Sequence, residues 1–150
     1  MPDDTTDDDL AHVNPKFPKA AAGFTLLAGG VAVLSAIQTL LSVRIFSPFW
    51  ALTPYVLLAL GAALVVLARS LFVARLWAAT GAIVVEAVLG LVSGAWLVFG
   101  LANGLIALYA IWTPVWAGLA LALCAAALAP CRRAEKARES LRKQGMGLGL

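Results

Sequence analysis

Apolar and polar positions divide this chain into four long apolar stretches joined by short turns. The stretches cover residues 20–43, 48–68, 76–99 and 105–129, and Glu86 is the only charged residue within them. Each reaches the roughly 20 residues that a membrane-spanning helix needs. None alternates with a period of two, and unpaired peptide groups are costly in lipid, so helices are predicted rather than barrel strands. The pattern predicts an all-α integral membrane four-helix bundle, and the short connections predict an antiparallel, up-down-up-down order.

Prolines lie near the start of the second stretch and inside the fourth. Either Ser47-Pro48 or Thr53-Pro54 can supply the first turn of the second helix, because proline has no N–H to leave unpaired there. Pro114 lies inside the fourth stretch. It predicts a kink, or a helix that effectively begins at that residue.

The composition excludes an ordinary water-soluble domain. Hydrophobic residues make up 62% of the chain, charged residues 13%, and the mean hydropathy is +0.92, whereas soluble domains are about 45–50% apolar. A cleaved signal peptide is the alternative interpretation of the first stretch. That stretch is longer than a signal core, and an acidic segment precedes it rather than a basic one, so we expect it to remain in the mature protein.

Basic residues predict the orientation in the membrane. Ten of the eleven lie before the first stretch, between the second and third, or after the fourth, and only Arg44 lies on the opposite side. Basic residues concentrate on the cytoplasmic side of membrane proteins, so both termini are expected there. The abundance of Ala, Leu, Val and Arg favours a bacterial inner membrane as the location.

The two tails differ in charge. Residues 1–19 are acidic and are expected to be disordered. Residues 130–150 are basic and are expected to be partly helical, with Glu139 pairing with Lys143. Contact with anionic lipid headgroups is expected for six residues of this tail: Arg132, Arg133, Lys136, Arg138, Arg142 and Lys143. The alternative is a basic flank that only fixes topology, and no nucleic-acid partner is expected.

Glu86 is the candidate site residue. It lies about 15 Å along the helix from Leu76, close to the midplane of a core roughly 30 Å thick. Small residues at helical spacing around it predict that it faces another helix. Burial without a cation favours a neutral carboxyl that donates one hydrogen bond. Gln38 and Ser93 are the polar residues grouped with it, and other polar residues near this depth are Ser35, Thr80, Thr113 and Trp116.

Glycines mark the predicted packing faces. Gly29 and Gly30 lie on the first helix, and Gly90 and Gly94 form a GxxxG pattern on the third. Glycines at such spacing let helix backbones approach closely. These faces can serve folding within the chain or contact with a partner.

Few residues offer other chemistry. Cys124 and Cys131 lie two turns apart on one helix, too far for a disulfide, and are expected to be reduced. Cys131 is a candidate for acylation or for simple packing. His12 is the only histidine and lies in the acidic tail, so no metal site and no cofactor are predicted.

Three functional classes remain open. The first is a non-catalytic membrane protein that acts by assembly, as an accessory, scaffold or regulatory subunit, in a homo-oligomer or with another membrane protein. The second is an oligomeric channel or proton-linked transporter that uses Glu86. The third is a membrane-embedded enzyme, which is not expected because a single carboxyl is its only candidate catalytic group.

Overall fold

The computed structural model describes residues 16–42, 51–103 and 108–143 of the chain. They form four helices: α1 Lys16–Ser42, α2 Thr53–Phe72, α3 Leu76–Ala102 and α4 Leu108–Lys143. Each is long and apolar enough to cross a membrane. For these described ranges, the prediction of an all-helical fold with four such helices is confirmed. The predictions for the acidic tail, Arg44, Ser47-Pro48 and His12 fall on residues outside these ranges.

Two helices begin at residues other than the predicted ones. α1 begins at Lys16, earlier than residue 20, and α2 begins at Thr53, later than residue 48. Leu52 is the N-cap of α2, with no side-chain cap, and Pro54 lies in the first turn. Thr53-Pro54 therefore supplies the start of α2, although Thr53 is the first helical residue and not the cap.

α4 is a single helix of 36 residues, about 54 Å long. It passes through Pro114 and Pro130 without interruption. The predicted spanning stretch 105–129 and the basic tail that follows it thus share one continuous helix as far as Lys143. Each proline removes one backbone hydrogen bond. Good helix formers flank Pro130, and Cys131 next to it is fully buried, so packing and propensity offset that loss.

The helices form a ring in chain order. α1 packs against α2 and α4, and α3 packs against the same two helices, so α1 and α3 lie at opposite corners. The buried apolar residues form two groups. The basal cluster contains Ala21, Ala22, Leu71, Ala78, Ala79, Ala82, Cys124, Ala127 and Cys131. The distal cluster contains Ala28, Ala32, Ala36, Leu57, Leu64, Leu89, Ala117 and Ala120.

Large apolar side chains lie mostly on the outside of the bundle. Leu41 is 82% exposed, Leu91 76% and Val66 68%, while alanine dominates the interior. In water such a surface costs about 25 cal/mol per Å² of apolar area, whereas lipid tails are as apolar as the side chains themselves. This distribution, together with the four long apolar helices, suggests a membrane protein.

The predicted packing glycines have different surroundings. A Cβ built on Gly29 would lie 2.8 Å from the carbonyl oxygen of Gly61 on α2, so the backbones are close there. At Gly90 the nearest atom would be the Cβ of Ala117, at 4.0 Å. At Gly30 and Gly94 no atom of the described residues would lie within 4 Å. Among the four described helices, a close approach of two backbones uses Gly29 but not Gly30 or Gly94.

Candidate functional site

Glu86 lies on the inner face of α3, between the two apolar clusters. Its side chain is 1% exposed. Ala82, one turn before it, belongs to the basal cluster, and Leu89, one turn after it, belongs to the distal cluster. This spacing of three and four residues turns all three side chains toward the centre of the bundle. Glu86 therefore faces other helices and not the outer surface.

Two other helices supply the polar neighbours of Glu86. The hydroxyl of Thr25 on α1 donates to Glu86 Oε1 at 2.7 Å. The thiol of Cys124 on α4 lies 3.7 Å from the same oxygen and 3.3 Å from Thr25 Oγ1. The three side chains are all buried. They form one polar cluster, here called the Glu86 cluster, that links three of the four helices.

The hydrogens within the Glu86 cluster can be assigned by counting donors. A threonine hydroxyl carries one hydrogen, and Thr25 gives it to Glu86. Thr25 Oγ1 is then left to accept, so Cys124 is the donor between those two side chains. The order of donation therefore runs from the thiol to the hydroxyl to the carboxyl. Glu86 Oε2, in contrast, is buried and has no hydrogen-bond partner among the described residues.

Sequence reasoning did not find Thr25 and Cys124. A first helix that starts at residue 20, as the sequence predicts, places Gly30 and not Thr25 about 15 Å along its axis, at the depth of Glu86. Counted from Lys16, where α1 begins, Thr25 lies about 13 Å along the helix, and Glu86 lies about 15 Å from the start of α3. Cys124 lies about 12 Å before Arg132. The basic residues at the helix ends were the signal in the sequence. Depths counted from these residues place Thr25 and Cys124 close to the depth of Glu86.

Ser93 and Gln38 do not contact Glu86. Ser93 is buried, but its hydroxyl donates to the carbonyl of Leu89 in its own helix at 2.6 Å. It lies about 10 Å beyond Glu86 along α3. Gln38 lies on α1 about 20 Å beyond Thr25, and its buried Oε1 has no partner in the part of the chain that the structure describes. The structure thus does not bring the three predicted site residues together.

The basic residues of α4 are exposed, as contact with lipid headgroups requires. Lys143 forms the predicted ion pair with Glu139, at 3.0 Å. Arg138 donates to the backbone carbonyl of Val73, in the turn between α2 and α3. The end of α4 therefore also holds this turn in place.

Both cysteines are free and fully buried. Cys131 packs in the basal cluster, which favours packing over acylation. Within residues 16–42, 51–103 and 108–143 there is no group of three or more His, Cys, Asp or Glu side chains that could hold a metal ion. The chemistry available in the Glu86 cluster is therefore that of hydrogen bonding and of binding or releasing protons.

Comparison of the chain with protein-family models, with curated proteins and with solved structures finds no match in any of the three.

Proposed function

We propose that this is a non-catalytic multi-pass membrane protein that acts by assembly, as an accessory, scaffold or regulatory subunit. The observation that carries the proposal is the outward position of Gly30 and Gly94. Neither meets an atom of the described residues within 4 Å of where its Cβ would be. Glycine inside a helix costs roughly 0.5–1 kcal/mol relative to alanine. A partner helix that packs onto these positions would offset this cost, because small residues favour close helix association in lipid.

The surroundings of Gly30 on α1 support such a contact. Leu27 and Leu34 lie one turn to either side of it and are 51% and 56% exposed. Gly23, a further turn back, also opens onto space free of described atoms. Glycines and leucines thus alternate along this face of α1, at the spacing of three and four residues that is typical of paired helices. The partner is either a second copy of this chain or another membrane protein.

The closed interior supports assembly over transport. Glu86 is 1% exposed and is enclosed by Thr25, Cys124 and alanine-rich apolar clusters. A transport path along Glu86 would need access for water or ions, and the packing around this side chain favours a role in holding the helices together.

Antiparallel helices with both termini in the cytoplasm complete the proposal. The composition of the basal cluster supports this arrangement. The cluster contains residues near the start of α1 and of α3, and these pack against residues near the end of α2 and against α4 beyond residue 123. The basic residues beside this cluster are Lys16, Lys19, Arg69, Arg75, Arg132 and Arg133. Their gathering at one end supports a cytoplasmic location for that end, in a bacterial inner membrane, with anionic lipids as partners of α4.

The mass of the assembly in a mild detergent or in native nanodiscs tests the proposal. We expect a particle larger than one chain, and Gly30→Leu or Gly94→Leu should shift it to the single chain without loss of helix content. Ala62→Leu is the matched control, because it places the same leucine side chain at an exposed position of α2 and should leave the mass unchanged. A wild-type protein that runs as a single chain without a partner in both media would refute assembly.

A further inference from the structure

Glu86 Oε2 is a buried oxygen for which the described helices supply no hydrogen-bond partner. Thr25 donates to the other oxygen, Oε1, and Cys124 Sγ also lies on the Oε1 side, 3.7 Å from that atom. An ionised carboxylate would spread its charge over both oxygens, one of them without any donor. Burying such a charge costs far more than burying a neutral carboxyl. The geometry therefore favours the form in which Oε2 carries a hydrogen.

Among the described residues, no positive side chain lies within reach to hold a negative charge on Glu86. All described lysines and arginines are exposed. On α1 the nearest is Lys19, about 9 Å along the helix from Thr25, and on α4 it is Arg132, about 12 Å from Cys124. On α3 the nearest is Arg75, about 16 Å away. α2 carries Tyr55 and Arg69, both exposed, so Cys124 is the one other titratable group that the described residues bring to Glu86.

We propose that Glu86 is a proton-binding site whose proton sits on Oε2 and whose occupancy holds α1, α3 and α4 together through Thr25 and Cys124. The ligand is the proton itself, since Oε1 already accepts from Thr25 and the neighbours of Glu86 along α3, Ala82 and Leu89, are apolar. When the proton leaves, the carboxylate requires hydration, so water must reach it between the helices. The Glu86 cluster then opens, and Cys124 becomes accessible. This site does not depend on the proposed assembly.

The sign of the pH dependence follows from linkage. The closed state binds one proton that the open state does not hold, so raising the pH favours opening. For one linked proton the opening equilibrium changes about tenfold per pH unit. Cys124, which is fully buried in the closed state, reports this opening through its rate of alkylation.

The experiment compares the wild-type chain with Glu86→Gln in lipid nanodiscs, both carrying Cys131→Ala and an exposed reference cysteine at Lys143→Cys. N-ethylmaleimide is added at a series of pH values, and mass spectrometry follows each thiol. The amide of the variant cannot ionise, so Cys124 should stay protected in it. For Cys124 we expect the alkylation rate of the wild type, divided by that of the variant at the same pH, to rise about tenfold per pH unit above the pH at which opening begins. For the reference cysteine the same ratio of alkylation rates should stay at one.

Infrared spectroscopy gives a second readout. A protonated carboxyl has a C=O band distinct from those of a carboxylate, and at neutral pH this band should be present in the wild type and absent in Glu86→Gln. If the variant does not fold, the wild type alone decides: the band should fade over the same pH range in which Cys124 alkylation accelerates. The proposal is overturned if the band is missing at neutral pH. It is also overturned if the ratio of Cys124 alkylation rates, wild type to variant, does not change with pH.

Discussion

Gly29 of α1 and Gly61 of α2 face each other where the two helices come closest. A Cβ built on either residue would lie 2.8 Å from the carbonyl oxygen of the other. That distance leaves room for a hydrogen atom but not for a methyl group. The close approach brings α1 and α2 into the most extensive contact of the bundle, which in lipid is stabilised by van der Waals packing.

Adding a methyl group at this contact should therefore destabilise the bundle. For Gly61→Ala we expect the free energy of unfolding in mixed micelles to fall by about 1–3 kcal/mol, as in other overpacked sites. Gly23→Ala is the control, because nothing among the described residues lies within 4 Å of its Cβ position and alanine favours the helix. Equal stability of the two variants would contradict the close contact.

Thr25→Val tests the hydrogen bond at the centre of the bundle. Valine keeps the shape of threonine but removes the donor to Glu86 Oε1. We expect a loss of about 1 kcal/mol in unfolding free energy, the order measured for polar contacts between membrane helices. Thr80→Val is the matched control, since Thr80 is exposed and its hydroxyl binds only carbonyls of its own helix. Comparable losses in both variants would show that the Thr25 hydroxyl makes no special contribution.

Ala74 adopts a left-handed backbone conformation, with φ of 51°, in the turn between α2 and α3. Glycine adopts this conformation without the steric cost that a Cβ brings. Ala74→Gly should therefore raise the unfolding free energy, by about 0.5–1 kcal/mol after the larger entropy of the unfolded chain is counted. Ala62→Gly, inside a helix, should lower it by a similar amount. The midpoint temperature of thermal unfolding, relative to the native chain, should thus rise in Ala74→Gly and fall in Ala62→Gly.

Arg138 should protect the same turn through its hydrogen bond to the carbonyl of Val73. In Arg138→Gln we expect amide hydrogen exchange at residues 73–75 to accelerate about twofold to fivefold, because an exposed charged contact contributes up to about 1 kcal/mol. Arg142→Gln removes an equal charge and should leave exchange at the turn unchanged. Exchange that is the same in all three proteins would mean that the contact does not hold the turn.

Cysteines at the two ends of the bundle test the proposed orientation. Asn103 follows α3, and Lys143 ends α4; both side chains are exposed. A membrane-impermeant maleimide added to intact cells should label Asn103→Cys but not Lys143→Cys until the cells are opened. The native chain, whose two cysteines are buried, controls for background labelling. The reverse pattern would place the termini outside.

The properties that the sequence determined by itself are those of single segments. Whether a stretch can form a spanning helix depends on its own length and apolarity, so four helices could be predicted before their packing was known. The inward direction of Glu86 was predictable for a similar reason. Small residues recur around it at helical spacing, and that spacing is a property of one helix.

Tertiary structure decided which residues meet. Thr25 reaches Glu86, whereas a helix that starts at residue 20 places Gly30, five residues further along α1, at the depth of Glu86. Gly29 and Gly30 are adjacent in sequence, yet of the two only Gly29 meets the backbone of another described helix. Contacts between helices depend on their relative depth and rotation, which arise from packing over the whole bundle, and one residue along a helix turns a side chain by about 100°.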